Sequence, residues 1–175
     1  SRLSLLYQSE GREKESMELA QKAIDRFIID RNPAVFGILN DVIIYLADQG
    51  RQQEALELTL DIATKVNTPV TFSDQFSYHL ALSNCYINLN NPDLAEKHVV
   101  IIDSMETKAE AIRGPMRRAL VNDQYGNVLM IRKQYKKAKE YLEKHFVTTS
   151  IAQRVLSADL LIYRRLIRID SILGG

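Results

Sequence analysis

Residues 86–99, Tyr86-Ile87-Asn88-Leu89-Asn90-Asn91-Pro92-Asp93-Leu94-Ala95-Glu96-Lys97-His98-Val99, decide the fold. They read as the end of one helix, a tight turn at Asn90-Asn91-Pro92 and the start of a second helix with a small residue, Ala95, near its beginning. Pro92 fits the first turn of the returning helix, where a missing N–H costs nothing.

Related patterns recur along the chain. The small residue early in each second helix is Ser16, Ala55, Ala95 and Ala138, at spacings of 39, 40 and 43 residues. Five residues earlier, at the turn, stand Gly11, Gly50, Asn90 and Lys133. Four before those stand Tyr7, Leu46, Tyr86 and Leu129, and four after the small residue stand Ala20, Thr59, Val99 and Leu142. Paired helices at a fixed interval, with a small residue where two backbones must approach, mark a solenoid. One hairpin cannot bury its apolar face alone, so stacked neighbours complete the core. The competing reading is an ordinary helical bundle with coincidental spacing.

The intervening residues agree. Ala20, Ala23, Ile24 and Phe27 recur at helical steps in a helix from Glu13 to about Ile29, which Asn32-Pro33 stops. Leu39, Val42, Ile43 and Leu46 face inward on the next, which Gly50 ends. Ala55, Leu58 and Ile62 line its return. Ser73 is positioned to cap a helix over Asp74–Leu89 carrying Leu80, Leu82, Cys85 and Tyr86. The return from Pro92 fades near Met105, and Glu106–Gly114 reads as either helix or loop. Pro115–Ile131 buries Leu120, Tyr125, Leu129 and Met116; Tyr135–Phe146 returns with Ala138 and Leu142 inward; Ile151–Leu173 is one last long helix. The fold class is therefore all-α, a single domain over 1–175 with units near 1–32, 33–69, 70–109 and 110–149 and a partial unit at 150–175. Starting at Ser1 and half a repeat, the chain reads as a piece of a longer protein.

This pattern resembles the tetratricopeptide repeat. The best unit carries Asn122, Tyr125, Gly126 and Leu129, then Ala138 and Leu142; Gly126 falls where that family places a small residue against a neighbouring helix. The others match through Leu82, Ser83, Tyr86, Asn90, Ala95 and Val99; through Val42, Leu46, Gly50 and Ala55; and partly through Leu3, Ser4, Tyr7, Gly11, Ser16, Ala20 and Ala23. Leu39, His79 and Asn122 stand where the family has a bulky aromatic, and the units exceed its usual length of about 34 residues. The chain also resembles the repeat region of bacterial sensor or regulator proteins, chiefly in its closing Arg168–Gly175. The resemblance implies a right-handed superhelical solenoid of antiparallel helix pairs that binds a protein or peptide as a regulatory or sensory part of a larger signalling protein.

It also implies a concave surface lined by the first helix of each pair. Its outward positions are Asn40, Ile44 and Asp48; Ser77, Asn84, Ile87 and Asn88; and Asp123, Asn127, Met130 and Ile131. Asn84 and Asn127 occupy equivalent slots, and an amide that donates and accepts can grip an extended peptide backbone. Ile44 and Ile87 can receive an apolar side chain.

Net charge is +1 but uneven, −2 over residues 1–50, −4 over 51–105 and +7 over 106–175. Arg117, Arg118, Arg164, Arg165 and Arg168 make the C-terminal part attractive to an acidic partner. Nucleic-acid binding there lacks a recognition motif and is not expected. The last helix carries Leu156, Leu160, Leu161, Leu166 and Ile169, which need a cover, so a structural solenoid dimerising through it is the alternative function.

The single Cys85 excludes an internal disulfide framework. No apolar run reaches the roughly 18 residues that span a bilayer, and no membrane contact is expected of this segment. The compartment stays open. His79, His98 and His145 lack metal-motif spacing, and no stretch sets a nucleophile beside a base. Glu54 and Glu57 share a helix face without a pocket evident in the sequence. No catalytic residues and no cofactor are expected.

Overall fold

Helix boundaries follow from the turns. A computed structural model describes residues 13–69, 71–108, 115–148 and 156–174, and the described residues form helices and short connections without a strand. The helices are α1 Glu13–Ile29, α2 Val35–Asp48, α3 Gln52–Lys65, α4 Phe72–Asn88, α5 Pro92–Lys108, α6 Pro115–Ile131, α7 Tyr135–Thr148 and α8 Leu156–Leu173. The all-α reading is correct. The chain divides into two compact units, Ser1–Leu89 and Asn90–Gly175, taken separately below.

Three of the expected turn positions take the left-handed conformation: Gly50 at φ 74°, Asn90 at 57° and Lys133 at 59°. The fourth, Gly11, lies outside the described residues. At Gly50 the N–H bonds Ala47 C=O (3.0 Å) and the next N–H, of Arg51, reaches back to Leu46 C=O (2.8 Å). Lys133 and Gln134 repeat this on Met130 and Leu129 at 3.0 and 2.9 Å. These paired bonds satisfy carbonyls that a helix end would leave bare, and they need one residue of positive φ. The end of α1 uses the same device at Arg31, φ 49°, just before the Asn32-Pro33 stop.

The returning helices start in register. Ala55, Ala95 and Ala138 are fully buried and donate their N–H to Arg51, Asn91 and Gln134 respectively, the fourth residue back in each case. Pro92 is therefore the first helical residue, as its chemistry requires. Thr59, Val99 and Leu142, one turn on, are also fully buried.

Unit 1 packs α2 against α1, α3 and α4, and α3 against α4. Its core comprises Ala20, Ile24, Val35, Phe36, Leu39, Val42, Ile43, Leu46, Ala55, Ile62, Val66, Ala81 and Cys85. The Phe36 and Tyr78 rings meet at 4.7 Å, and Asn84 donates to Asn40 at 3.0 Å. Contacts between residues 42 and 44 apart, in the same order along both helices, mean α2 and α4 run parallel, one repeat removed. Unit 2 packs α6 against α5 and α7, and α7 against α8. Arg165 donates to Asp123 at 2.6 Å, so α8 meets α6 at the same 42-residue offset. Repeat-like stacking is thus seen in unit 1, and unit 2 has a polar contact at the same offset.

Several expectations shift. The cap of α4 is Thr71, whose Oγ1 accepts from Asp74 N–H at 3.1 Å; Ser73 already lies inside the helix. Helix α5 continues through Glu106 to Lys108, and residues 109–114 lie outside the described set. On α3, Thr59 is fully buried while Leu58 is only half-buried, because Thr59 turns its hydroxyl onto Ala55 C=O at 2.8 Å and loses its polarity to the helix. On α6, Ala119, Val121 and Val128 are the buried apolar residues, while Leu120, Tyr125 and Leu129 are half-buried. The side chains of Ser16, Met116, Leu156, Leu160 and Leu161 lie outside the described set.

Gly126 is where α6 and α7 come closest. A Cβ there would lie 2.5 Å from Leu142 Cδ2 and 2.7 Å from its Cγ, and Leu142 is fully buried. We expect Gly126→Ala to cost about 1–3 kcal/mol by overpacking, read from the urea midpoint, and Leu142→Ala to cost less in that background than in the parent chain. Gly50 meets nothing within 4 Å at its Cβ position, so Gly50→Ala tests backbone alone. It should cost about 1 kcal/mol, whereas Lys133→Gly, relieving the same strain, should leave the midpoint unchanged or raise it.

Candidate docking surfaces

The expected groove residues fall in both units. In unit 1, α2 brings Asn40, Ile44 and Asp48 to one stripe at four-residue steps, and α4 brings Ser77, Asn84 and Asn88 to another. Ile44 is 53% exposed, Asp48 and Asn88 are exposed, and Ser77 and Ile87 are half-buried. The structure joins Asn40 to Asn84: Asn84 Nδ2 donates to Asn40 Oδ1 at 3.0 Å, and Asn40 Nδ2 donates to Phe36 C=O at 2.9 Å. Both amides are thus engaged within the protein and lock α2 to α4 beside the exposed Ile44.

In unit 2 the expected outward stripe is largely covered. Asn127 is only 8% exposed. Asp123 accepts from Arg165 of α8, and Met130 packs against the cluster of Ala138, Leu142, Ile162 and Ile169; Ile131 is half-buried. Asn84 and Asn127 are equivalent in sequence, but Asn127 is buried, as are the other polar residues of α6, Asn122 and Gln124.

The expected basic cluster also separates. Arg118 is paired with Asp103, which also accepts from Tyr125 at 3.1 Å. Burial, and then the Asp103 charge, push the Tyr125 hydroxyl well above the usual phenol range. Arg165 is spent on Asp123, and Arg117 is half-buried. Arg164 and Arg168 remain exposed on α8, beside Tyr163 and Ile167. A further open cleft of about 460 Å³ in unit 2 is lined by Lys133, Gln134, Tyr135, Lys136, Lys137 and Leu173.

Unit 1 holds a larger concavity that the sequence did not reveal. An open cleft of about 610 Å³ runs between α1, α2 and α3. Its apolar floor is Met17, Val42, Leu46 and Leu58 with Tyr45, and its rim carries Glu18, Glu54, Glu57 and Asp61 against one cation, Arg51. Arg51 is committed to Glu54 through two hydrogen bonds, which hold that carboxyl below its usual range. Asp61 meets Lys65 at 2.6 Å, and Glu57 accepts from Gln53. Glu54 and Glu57 therefore do border an apolar recess, contrary to the sequence reading. The shift at Glu54 is downward, opposite to what a general acid needs. The signal available in the sequence was the same-sign row Glu54, Glu57, Asp61 on one face; the floor came from three separate helices.

Among the described residues, no group of three or more His, Cys, Asp or Glu side chains is placed to hold a metal ion. No described helix is long and apolar enough to cross a membrane. His79 is half-buried, 5.2 Å from the Tyr78 ring, and burial lowers its pKa. Buried His145 places Nδ1 3.3 Å from Ala119 C=O. No protein-family model matches the chain, and no curated protein matches it.

Cys85 is fully buried, its Sγ 3.5 Å from Thr59 Oγ1, and burial pushes the thiol up to about 11. Thiolate is the reactive form. The native chain should therefore react with a disulfide reagent such as DTNB only at the rate of opening, and promptly in denaturant. Prompt native reaction would contradict this packing.

Proposed function

We propose that the chain is a binding module: a helical solenoid of tetratricopeptide-like pairs that docks a protein or peptide segment, serving as a regulatory or sensory part of a larger signalling protein. The stacking of like helices at offsets of 42 and 44 residues within the units supports the repeat reading. The resemblance of the repeats and of the closing segment supports the signalling context.

The observation that carries the binding reading is the cleft of α1, α2 and α3. A recess with an apolar floor and a few polar groups at its rim is the common form of a ligand site. Its net acidic rim selects for a segment with Lys or Arg beside an apolar side chain. The face of α2 and α4 is the second surface, with Ile44 exposed beside the Asn40–Asn84 bond.

A phage-displayed library of random peptides, selected on the intact chain, tests this. Enriched peptides should combine basic and apolar residues and lose at least about tenfold in affinity against Glu18→Arg/Glu57→Arg, with little change against Ile44→Asp/Asn84→Ala. Loss on the second variant alone would move the site to the α2–α4 face. An absence of enriched peptides, or binding indifferent to both variants, would sink the reading.

A further inference from the structure

The described surface of unit 2 carries the complement of the unit 1 cleft. One side of α8 packs into the core through Ile162, Leu166 and Ile169. Away from that side Arg164, Ile167 and Arg168 share a face at three- and four-residue steps, flanked by Tyr163, whose ring stacks on Phe146 of α7 at 4.6 Å. Tyr163 is 49% and Ile167 67% exposed, and both arginines are exposed. Arg165, which points the other way, is the arginine of this run engaged by a carboxylate. The stripe thus offers two cations, the Ile167 side chain and the exposed part of Tyr163. The cleft presents four carboxylates and one arginine around an apolar floor.

We propose that the α8 stripe of one copy of this chain docks into the α1–α2–α3 cleft of a second copy. The inference rests on reading that cleft as a docking surface. Dimensions agree: Glu54 to Asp61 spans about 10 Å along α3 and Arg164 to Arg168 about 6 Å along α8, at about 1.5 Å per residue. Both arginines therefore fall within the length of the acidic rim. Ile167 and Tyr163 lie on the floor of Met17, Val42 and Leu58, while Arg164 and Arg168 face Glu18 and Glu57. Exposed apolar groups gain a cover, and charges of opposite sign meet. The excess of negative charge before residue 106 and of positive charge after it, −6 against +7, steers copies into this arrangement.

The two surfaces differ, so the contact is head-to-tail. Each contact joins one cleft to one α8, in a reciprocal pair of copies or in a longer chain of them. That distinguishes it from a symmetric dimer formed by two α8 helices.

Sedimentation equilibrium on the intact chain and two charge-reversed variants tests it. Glu18→Arg/Glu57→Arg disables the cleft; Arg164→Glu/Arg168→Glu disables the helix. All four positions are exposed, and each variant is first checked for the parent's helicity and urea midpoint. The parent chain should gain mass with concentration, to two copies or beyond, and lose it at high ionic strength. Each variant alone should stay at the mass of one copy. Their mixture, which has one intact cleft and one intact helix, should stop at two copies. Ile167→Ser should weaken association of the parent at least about tenfold without changing charge. The proposal is overturned if the parent stays at one copy throughout, if either variant self-associates like the parent, or if the mixture fails to pair. If the parent stays single while selected peptides still bind the cleft, only the homotypic occupant is wrong. If neither binds, the cleft itself is not a docking surface.

Discussion

The α2–α3 and α6–α7 hairpins each depend on one left-handed residue followed, five positions later, by a small buried one. The first ends the helix and satisfies its carbonyls in two bonds; the second lets the returning backbone lie close. Gly50 and Lys133 do the first task and Ala55 and Ala138 the second, while Asn90 shares the left-handed conformation and Ala95 the burial. For Lys133 the conformation costs about 1 kcal/mol relative to glycine, offset by the bonds from Lys133 and Gln134 N–H to Met130 and Leu129. Because the turn is short and stereotyped, the residues one turn to either side are placed as well. Leu46 comes under its turn, 4% exposed, and Thr59, Val99 and Leu142 seal the far side.

The two units use this plan with different interiors. Unit 1 is held by a nearly continuous apolar core on α2, whose Val35, Phe36, Leu39 and Ile43 are fully buried. Burial of each such large side chain is worth about 1.5–3 kcal/mol. Unit 2 is built around α6, which carries polar residues on several sides and meets directional partners: Asp103 on Arg118 and Tyr125, Asp123 on Arg165. Such bonds add about 1 kcal/mol net each but cost more when left unmade. They therefore fix register more than they add stability. Buried Glu106 on α5 keeps Oε2 without a hydrogen-bond partner among the described residues.

Features set by local chemistry were legible in the sequence. The turn slots, the alanines, Pro92 as the first helical residue and the inward face of α2 all follow from what one or two residues can do by themselves. Features set by the number of neighbours were not. Asn127 stands in the same sequence slot as Asn84, yet it is buried where Asn84 is half-buried, a difference set by the packed neighbours and not by the local sequence. Thr71 displaced Ser73 as a cap because both are competent, and backbone geometry, invisible at two residues' separation, chose between them. The cleft required α1, α2 and α3 to converge, and no single window of sequence contains its floor.

Charge shows the same division. The excess of basic residues after residue 106 is plain in the sequence, but its availability depends on pairing. Arg118, Arg132, Lys139 and Arg165 each find a carboxylate within their own unit. Surface pairs of this kind add little stability, yet they remove those cations from recognition as effectively as burial. Arg164 and Arg168, like Lys133, Lys136 and Lys137, are exposed with no carboxylate partner among the described residues, and Ile167 stands exposed beside the two arginines on α8. On the acidic side, Glu54 and Asp61 each have a nearby cation, whereas Glu18 and Glu57 meet none among the described residues. Two of the residual sets, Glu18 with Glu57 and Arg164 with Arg168, stand beside apolar surface. The charge available at the surface is what local pairing leaves over, not the total composition.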